Sequence, residues 1–196
     1  MNLEYIFPTP IWSVDAKLDL PKVEEFVYNL RERSDGRVIS NAGGWQSEDF
    51  TEDQLPPELF ENFLKFLKGN LRMCFLEYGS HDIPELQNFW FNINKKGDYN
   101  KSHSHVGSCF SGCVYIKSDE NAGGINFERD SNEDYMIASK FGINTSRLAA
   151  SMWRYNSFPN MMVIFPSWLR HSVEKSNSDN DRILSLIHIS EPTRPY

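Results

Sequence analysis

From residue 88 onward the chain is written in short apolar runs broken by turn residues, a texture that folds as an antiparallel sandwich or barrel. Phe89, Phe91 and Ile93 alternate with Trp90, Asn92 and Asn94, the period of two expected of a strand, and Lys95-Lys96-Gly97-Asp98 closes the run as a turn. Residues 110–117 (FSGCVYIK), 124–127 (GINF) and 161–165 (MMVIF) are further strand candidates. Asn121-Ala122-Gly123-Gly124, Phe158-Pro159-Asn160 and Asn177-Ser178-Asp179-Asn180 carry the residue types that turns need.

The first part of the chain has a different period. Val23, Phe26, Val27 and Leu30 fall on one helical face after Pro21, which predicts a helix over about Leu20 to Arg33. A second follows Pro56-Pro57 with Leu59, Phe63, Phe66 and Leu67, running toward Tyr78, with Gly69-Asn70 as a candidate break. Residues 3–12 (LEYIFPTPIW) read as an edge strand interrupted by Pro8 and Pro10. Helices first and strands after give a mostly β protein with flanking helices. No repeat or linker divides it, and 196 residues suffice for one domain with a full core. Fourteen Phe, eight Tyr and five Trp suit the space between packed sheets.

Twenty basic against 27 acidic residues leave a net charge of −7, which argues against a nucleic-acid partner. No stretch approaches the ~18 apolar residues that a membrane span requires. Met1-Asn2-Leu3-Glu4 lacks the basic start and apolar run of a signal peptide. Cys74, Cys109 and Cys113 are too few for a disulfide framework, so a cytoplasmic protein with free thiols is expected.

His103 and His105 form a His-x-His pair after a turn and just before a strand. In extended chain, side chains two apart point the same way, so both imidazoles can address one point. His171 closes FPSWLRH directly after the run at 161–165, where a strand can deliver a third ligand to the same mouth. Arg182 follows across a polar turn, where a returning strand would place it beside the histidines. Its guanidinium can pair with a carboxylate through two parallel hydrogen bonds. A lone histidine or arginine is usually an ordinary surface residue; the conjunction favours a metal site.

Six segments, in order along the chain, carry a more specific resemblance: FPTPIW (7–12), SNAGGWQS (40–47), NKKGDYNKSHSH (94–105), SGCVYI (111–116), GGINF (123–127) and FPSWLRHSV (165–173). Together with Arg182 they resemble the Fe(II)/2-oxoglutarate oxygenases, in particular a subgroup found in phages and bacteria. The resemblance implies a double-stranded β-helix (jelly-roll, cupin-like barrel) over residues 1–183. It implies Fe(II) on the catalytic residues His103, His105 and His171, with 2-oxoglutarate held by Arg182. Tyr115, with Ser111 on the same face of its strand, would look toward the co-substrate. The implied activity is that of a dioxygenase hydroxylating a small-molecule or peptide substrate, with ascorbate as an accessory reductant.

Two positions depart from the wider pattern. His105 stands where most of the superfamily has a carboxylate, which Asp119 or Glu120 would otherwise have to supply. Leu184 stands where a small hydroxyl residue is expected. The rival reading is a cupin-like metal-binding barrel without 2-oxoglutarate chemistry, and Arg182 discriminates against it. A zinc site built from His103, His105, Cys109 and Cys113 is a further alternative, but the spacing fits no zinc-finger pattern. Trp45 and Trp168 are candidates either for core packing or for lining a substrate opening.

Residues 184–194 (LSLIHISEPTR) resemble the translation of a transposon-based sequencing adaptor. Residues 184–196 are accordingly expected to be a non-native tail, and His188 to have no functional role. Even so, Arg182, Leu184, Leu186 and His188 alternate with Ile183, Ser185, Ile187 and Ile189, which predicts a strand over 182–189 with Arg182 and Leu184 inward. From Glu191-Pro192 the chain is expected to leave the sheet.

Overall fold

Both helical signatures form helices. α1 (Leu20–Glu32) carries Pro21 in its first turn and buries Val23 and Val27. α2 (Pro57–Glu77) buries Phe60, Phe63, Leu67, Leu71 and Phe75 among others along one stripe. It runs unbroken through Gly69-Asn70. Gly69 faces open space, Asn70 Nδ2 donates to Phe66 O, and the apolar stripe on either side outweighs the ~1 kcal/mol that glycine costs a helix. The computed structural model describes residues 1–129, 147 and 150–190.

The strands are β1 (Trp12–Asp15), β2 (Asn41–Ala42), β3 (Trp45–Gln46), β4 (Glu85–Asn94), β5 (Tyr99–His103), β6 (Phe110–Lys117), β7 (Ile125–Glu128), β8 (Met152–Tyr155), β9 (Met161–Pro166), β10 (His171–Val173) and β11 (Arg182–Ser190). They form one sheet in the order β1-β9-β6-β11-β4-β3 and a second in the order β2-β5-β10-β7-β8. The pairings are antiparallel. The edge strand expected at residues 3–12 begins only at Trp12, beyond both prolines, which have no N–H to give to a ladder. Leu3, Tyr5, Ile6 and Phe7 are exposed.

Alternation along the six-stranded sheet separates two cores. Phe89, Phe91 and Ile93 of β4, Val114 and Ile116 of β6, and Ile183, Ile187 and Ile189 of β11 pack with the helices. The opposite faces contribute Cys113, Tyr115, Val163, Phe165 and Leu184, which meet Ile125 and Phe127 of the second sheet. The molecule is therefore three layers, helices on one sheet and that sheet on the other. The functional candidates lie between the two sheets.

Residues 182–190 form the expected strand, with Arg182 and Leu184 buried on the inner side. β11 pairs with β4 along one edge and β6 along the other. The behaviour expected from Glu191 onward lies outside the described residues.

Candidate metal and co-substrate site

His103 ends β5 and His171 begins β10, and the two are direct partners across that antiparallel pair. His171 is thus placed by the second sheet. The expectation that the run at 161–165 would carry it is corrected: the chain turns at residues 167–169 and changes sheets first. His105 lies two residues beyond β5, so the His-x-His pair follows a strand instead of leading into one. Its main-chain N–H donates to Ser167 O, which fixes the segment. One nitrogen from each of the three rings lies within 4.8 Å of the others, a spread that a metal ion with ~2 Å bonds to nitrogen can draw together.

The ring chemistry fits a metal. His103 Nδ1 is 2.7 Å from Lys101 O and His171 Nδ1 is 2.9 Å from Leu169 O. A carbonyl can only accept, so each Nδ1 carries the proton and each Nε2 keeps a free lone pair. Burial holds all three imidazoles neutral, His171 down to about 4 and His105, beside His171, down to about 2. Neutral imidazole is the ligating form.

Arg182 is fully buried at the start of β11, with Asn94 of β4 as its cross-strand partner. Its Nη1 donates to Ala122 O and, at 3.0 Å, to Glu174 O, while Nε and Nη2 have no partner. Gly123 makes this fit possible: its φ is +79°, and a Cβ there would stand 3.2 Å from Arg182 Nη1. Other buried polar atoms also lack partners, among them both polar side-chain atoms of Asn94 directly across from Arg182, and Tyr115 Oη, Asn92 Oδ1 and Asn100 Oδ1. A buried polar atom without a partner costs about 1–3 kcal/mol, and a charged one costs more, so these groups have hydrogen-bonding capacity to offer a ligand. Asn92, Asn94 and Asn100 were not among the residues singled out from sequence. Asn92 and Asn94 fall on the polar positions of an alternating run whose apolar face is core, a pattern that fits solvent and ligand equally.

Asn92, Asn100, Tyr115 and the three histidines share an inner pocket, into which Leu184 and Leu186 also project and leave only about 20 Å³. A cleft of about 450 Å³, lined by Arg37, Ile39, Trp90 and Lys101, opens on His103 and His105. Trp168, 58% exposed, lines a second cleft beside Ser104 and His105, whereas Trp45 is buried in the helix-side core.

The remaining alternatives fall away on geometry. Asp119 is occupied by Ser178 and Asn180 and Glu120 is exposed, and neither carboxylate joins the histidine cluster. Cys109 and Cys113 likewise stand outside it, and burial pushes the Cys113 thiol up to about 12, against the thiolate that zinc needs. Ser111 is turned to Ser167, with 2.7 Å between the hydroxyls. His188, expected to have no functional role, lies beside the site, with Nε2 2.9 Å from His105 Nδ1.

Residues 88–186, half of the chain, match the model of a family described as "Putative 2OG-Fe(II) oxygenase". No curated protein matches the chain. Its fold is similar to a Pseudomonas putida prolyl-4-hydroxylase (TM-score 0.62, 10% identity, covering 94% of each chain). It is also similar to HygX from Streptomyces hygroscopicus, solved with nickel and 2-oxoglutarate (TM-score 0.58, 12% identity, 93% of this chain and 83% of that one). A 2OG-Fe(II) oxygenase family oxidoreductase from Burkholderia pseudomallei is similar over 70% of this chain and 57% of that one (TM-score 0.52, 13% identity). Likeness at these identities carries the fold, a double-stranded β-helix.

Proposed function

The chain belongs to the 2OG-Fe(II) oxygenase family, and from that membership we propose that His103, His105 and His171 hold Fe(II) while Arg182 and Tyr115 hold 2-oxoglutarate. The supporting observation is the fully buried Arg182 guanidinium, whose Nε and Nη2 have no partner, on the strand that also carries Leu184 into the histidine pocket. A barrel without a diacid ligand gains nothing from that arrangement, which favours the dioxygenase reading over a cupin-like binder.

When bound, Fe(II) with 2-oxoglutarate and O2 would supply the oxidant, one oxygen atom entering succinate as CO2 is lost and the other entering a substrate C–H bond. The protein's own residues bind and exclude. Three neutral histidines leave the metal's charge uncompensated, so the anionic co-substrate is attracted to it. Arg182 fixes the remote carboxylate, with Tyr115 and the Asn92, Asn94 and Asn100 amides offering further hydrogen bonds. Phe165 and Phe127 pack against the His171 ring and Trp90 against His105, so His171 is the ligand shielded from water. The cleft beside Trp90 admits a small-molecule or peptide substrate.

Residues 1–183 form the oxygenase domain in this reading, and 184–196 are a foreign tail whose first residues complete the sheet. The resemblance favours a phage or bacterial source. No helix among the described residues is long and apolar enough to cross a membrane, and free thiols support a cytoplasmic setting. The test is succinate release from purified protein given Fe(II), 2-oxoglutarate and ascorbate, with and without a substrate library. Turnover should require each component and vanish in His103→Ala; iron-independent turnover, or activity that survives that change, overturns the assignment.

A further inference from the structure

His103 and His171 each fix their own ring by a bond to a main-chain carbonyl two residues back, Lys101 O and Leu169 O. These bonds come with the extended backbone of β5 and the turn before β10. His105 has no such local bond among those described, because it lies beyond the end of β5. Its Nδ1 meets a side chain instead, His188 Nε2 at 2.9 Å, carried on β11 in the opposite sheet. His188 is itself held in place. Its ring packs edge-on against Trp90 at 4.6 Å between centroids, and its backbone is registered against Asn88 on one side and Ser111 on the other. Its ligating atoms do not join the cluster that the other three histidines form.

We propose that His188 is a positioning residue for the metal site: its Nε2 accepts the Nδ1–H of His105, which fixes the His105 ring and leaves His105 Nε2 free to ligate. All three ligands then share one arrangement, with Nδ1 tied to the protein and Nε2 turned to the metal. Partners of this kind set the tautomer and orientation of ligating histidines, and their loss weakens metal binding by 10–100-fold in other sites. The effect here sits near the lower end, because a neutral imidazole is a weaker acceptor than a carboxylate. The bond also ties the loop after β5 to β11, so the two sheets are joined at the site. The inference rests on the three-histidine metal reading. It holds for this chain whatever the origin of residues 184–194.

The experiment is anaerobic calorimetric titration of the full chain with Fe(II), and with Zn(II) as a diamagnetic probe. It compares the parent, His188→Ala, His188→Gln and His171→Ala, with melting of each metal-free variant recorded in parallel. His188→Ala should bind metal about tenfold more weakly. His188→Gln, whose amide oxygen can accept the same proton, should recover most of that loss. In the Zn(II)-loaded parent, NMR should show the His105 Nδ1 proton protected from exchange with water, and His188→Ala should speed that exchange. Unchanged affinity in His188→Ala while His171→Ala abolishes binding overturns this inference alone. Unchanged affinity in His171→Ala overturns the metal site itself. Failure of His188→Gln to recover, with the Zn(II)-loaded protein showing a fourth nitrogen ligand, would make His188 a direct ligand and overturn the positioning role.

Discussion

Arg182 and Asn94 stand directly opposite one another across the β4–β11 pair, and both keep buried polar atoms without partners. In the reading proposed above, these two unsatisfied groups, in register on adjacent strands, would anchor the co-substrate's remote carboxylate, whose arrival would offset their cost to the fold.

Removing the charge tests that anchor. Arg182→Leu should raise the KM for 2-oxoglutarate roughly thirtyfold or more, the equivalent of losing about 2–5 kcal/mol from a desolvated charge pair. Fe(II) affinity should stay within about twofold, since Arg182 touches no histidine. Arg182→Lys keeps the charge without the two-pronged geometry and should recover part of the loss. Steady-state kinetics beside metal titration separates the two effects; parallel loss of both ligands would contradict the role.

Leu184 is buried against Tyr115 in the pocket that would receive the co-substrate, where so little space remains. Leu184→Ser should therefore tighten 2-oxoglutarate binding, by roughly tenfold, while lowering the melting temperature. Large-to-small changes in a packed interior cost about 2–5 kcal/mol. An affinity that stays level or falls would show that Leu184 does not obstruct the site.

Acidification should destabilise the metal-free protein earlier than its carboxylates alone would. Histidines of the unfolded chain take up protons near 6.5, whereas burial keeps His171 neutral down to about 4 and His105 down to about 2. Between those values the unfolded state binds more protons, so stability is full above the unfolded value and declines as pH falls below it. Melting temperatures should drop between about pH 6.5 and 5, above the range where carboxylates protonate. His171→Asn should flatten part of that slope. A profile already flat across this interval in the parent would count against neutral buried histidines.

Shortening the chain tests its last strand. Ending it after Ser190 should leave the melting temperature within about 2 °C, because the β11 register ends there against Glu85. Ending it after Arg182 removes a strand paired on both edges and three isoleucines from the helix-side core. Cooperative melting by calorimetry should then be lost, and its survival would show that the strand is dispensable.

The alternation of residues 88–94 and the apolar run at 161–165 revealed strands directly, because the first has one face on the core and the second is buried on both. α2 was legible for the same reason, although Gly69-Asn70 suggested a break that tertiary packing overrides. The histidines could be named from spacing and resemblance, but not their route into the site. His171 arrives on β10, only three residues long and too short to show a period. His188 was set aside because its segment looks foreign, yet pairing a strand depends on its alternation and not on its ancestry. The asparagine cluster was invisible for another reason: a polar residue on a strand signals solvent or ligand equally until the opposing sheet is known.

The position of β11 has a consequence for biosynthesis. The strand at the middle of the six-stranded sheet is the last of the described strands to be translated, and it joins β4 to β6. Until residue 190 clears the ribosomal exit tunnel, both of those strands carry an unpaired inner edge beside exposed apolar faces. Sheet closure must therefore wait for β11 itself to emerge, and the interval before it is when β4 and β6 are most exposed to aggregation and most dependent on chaperone shielding.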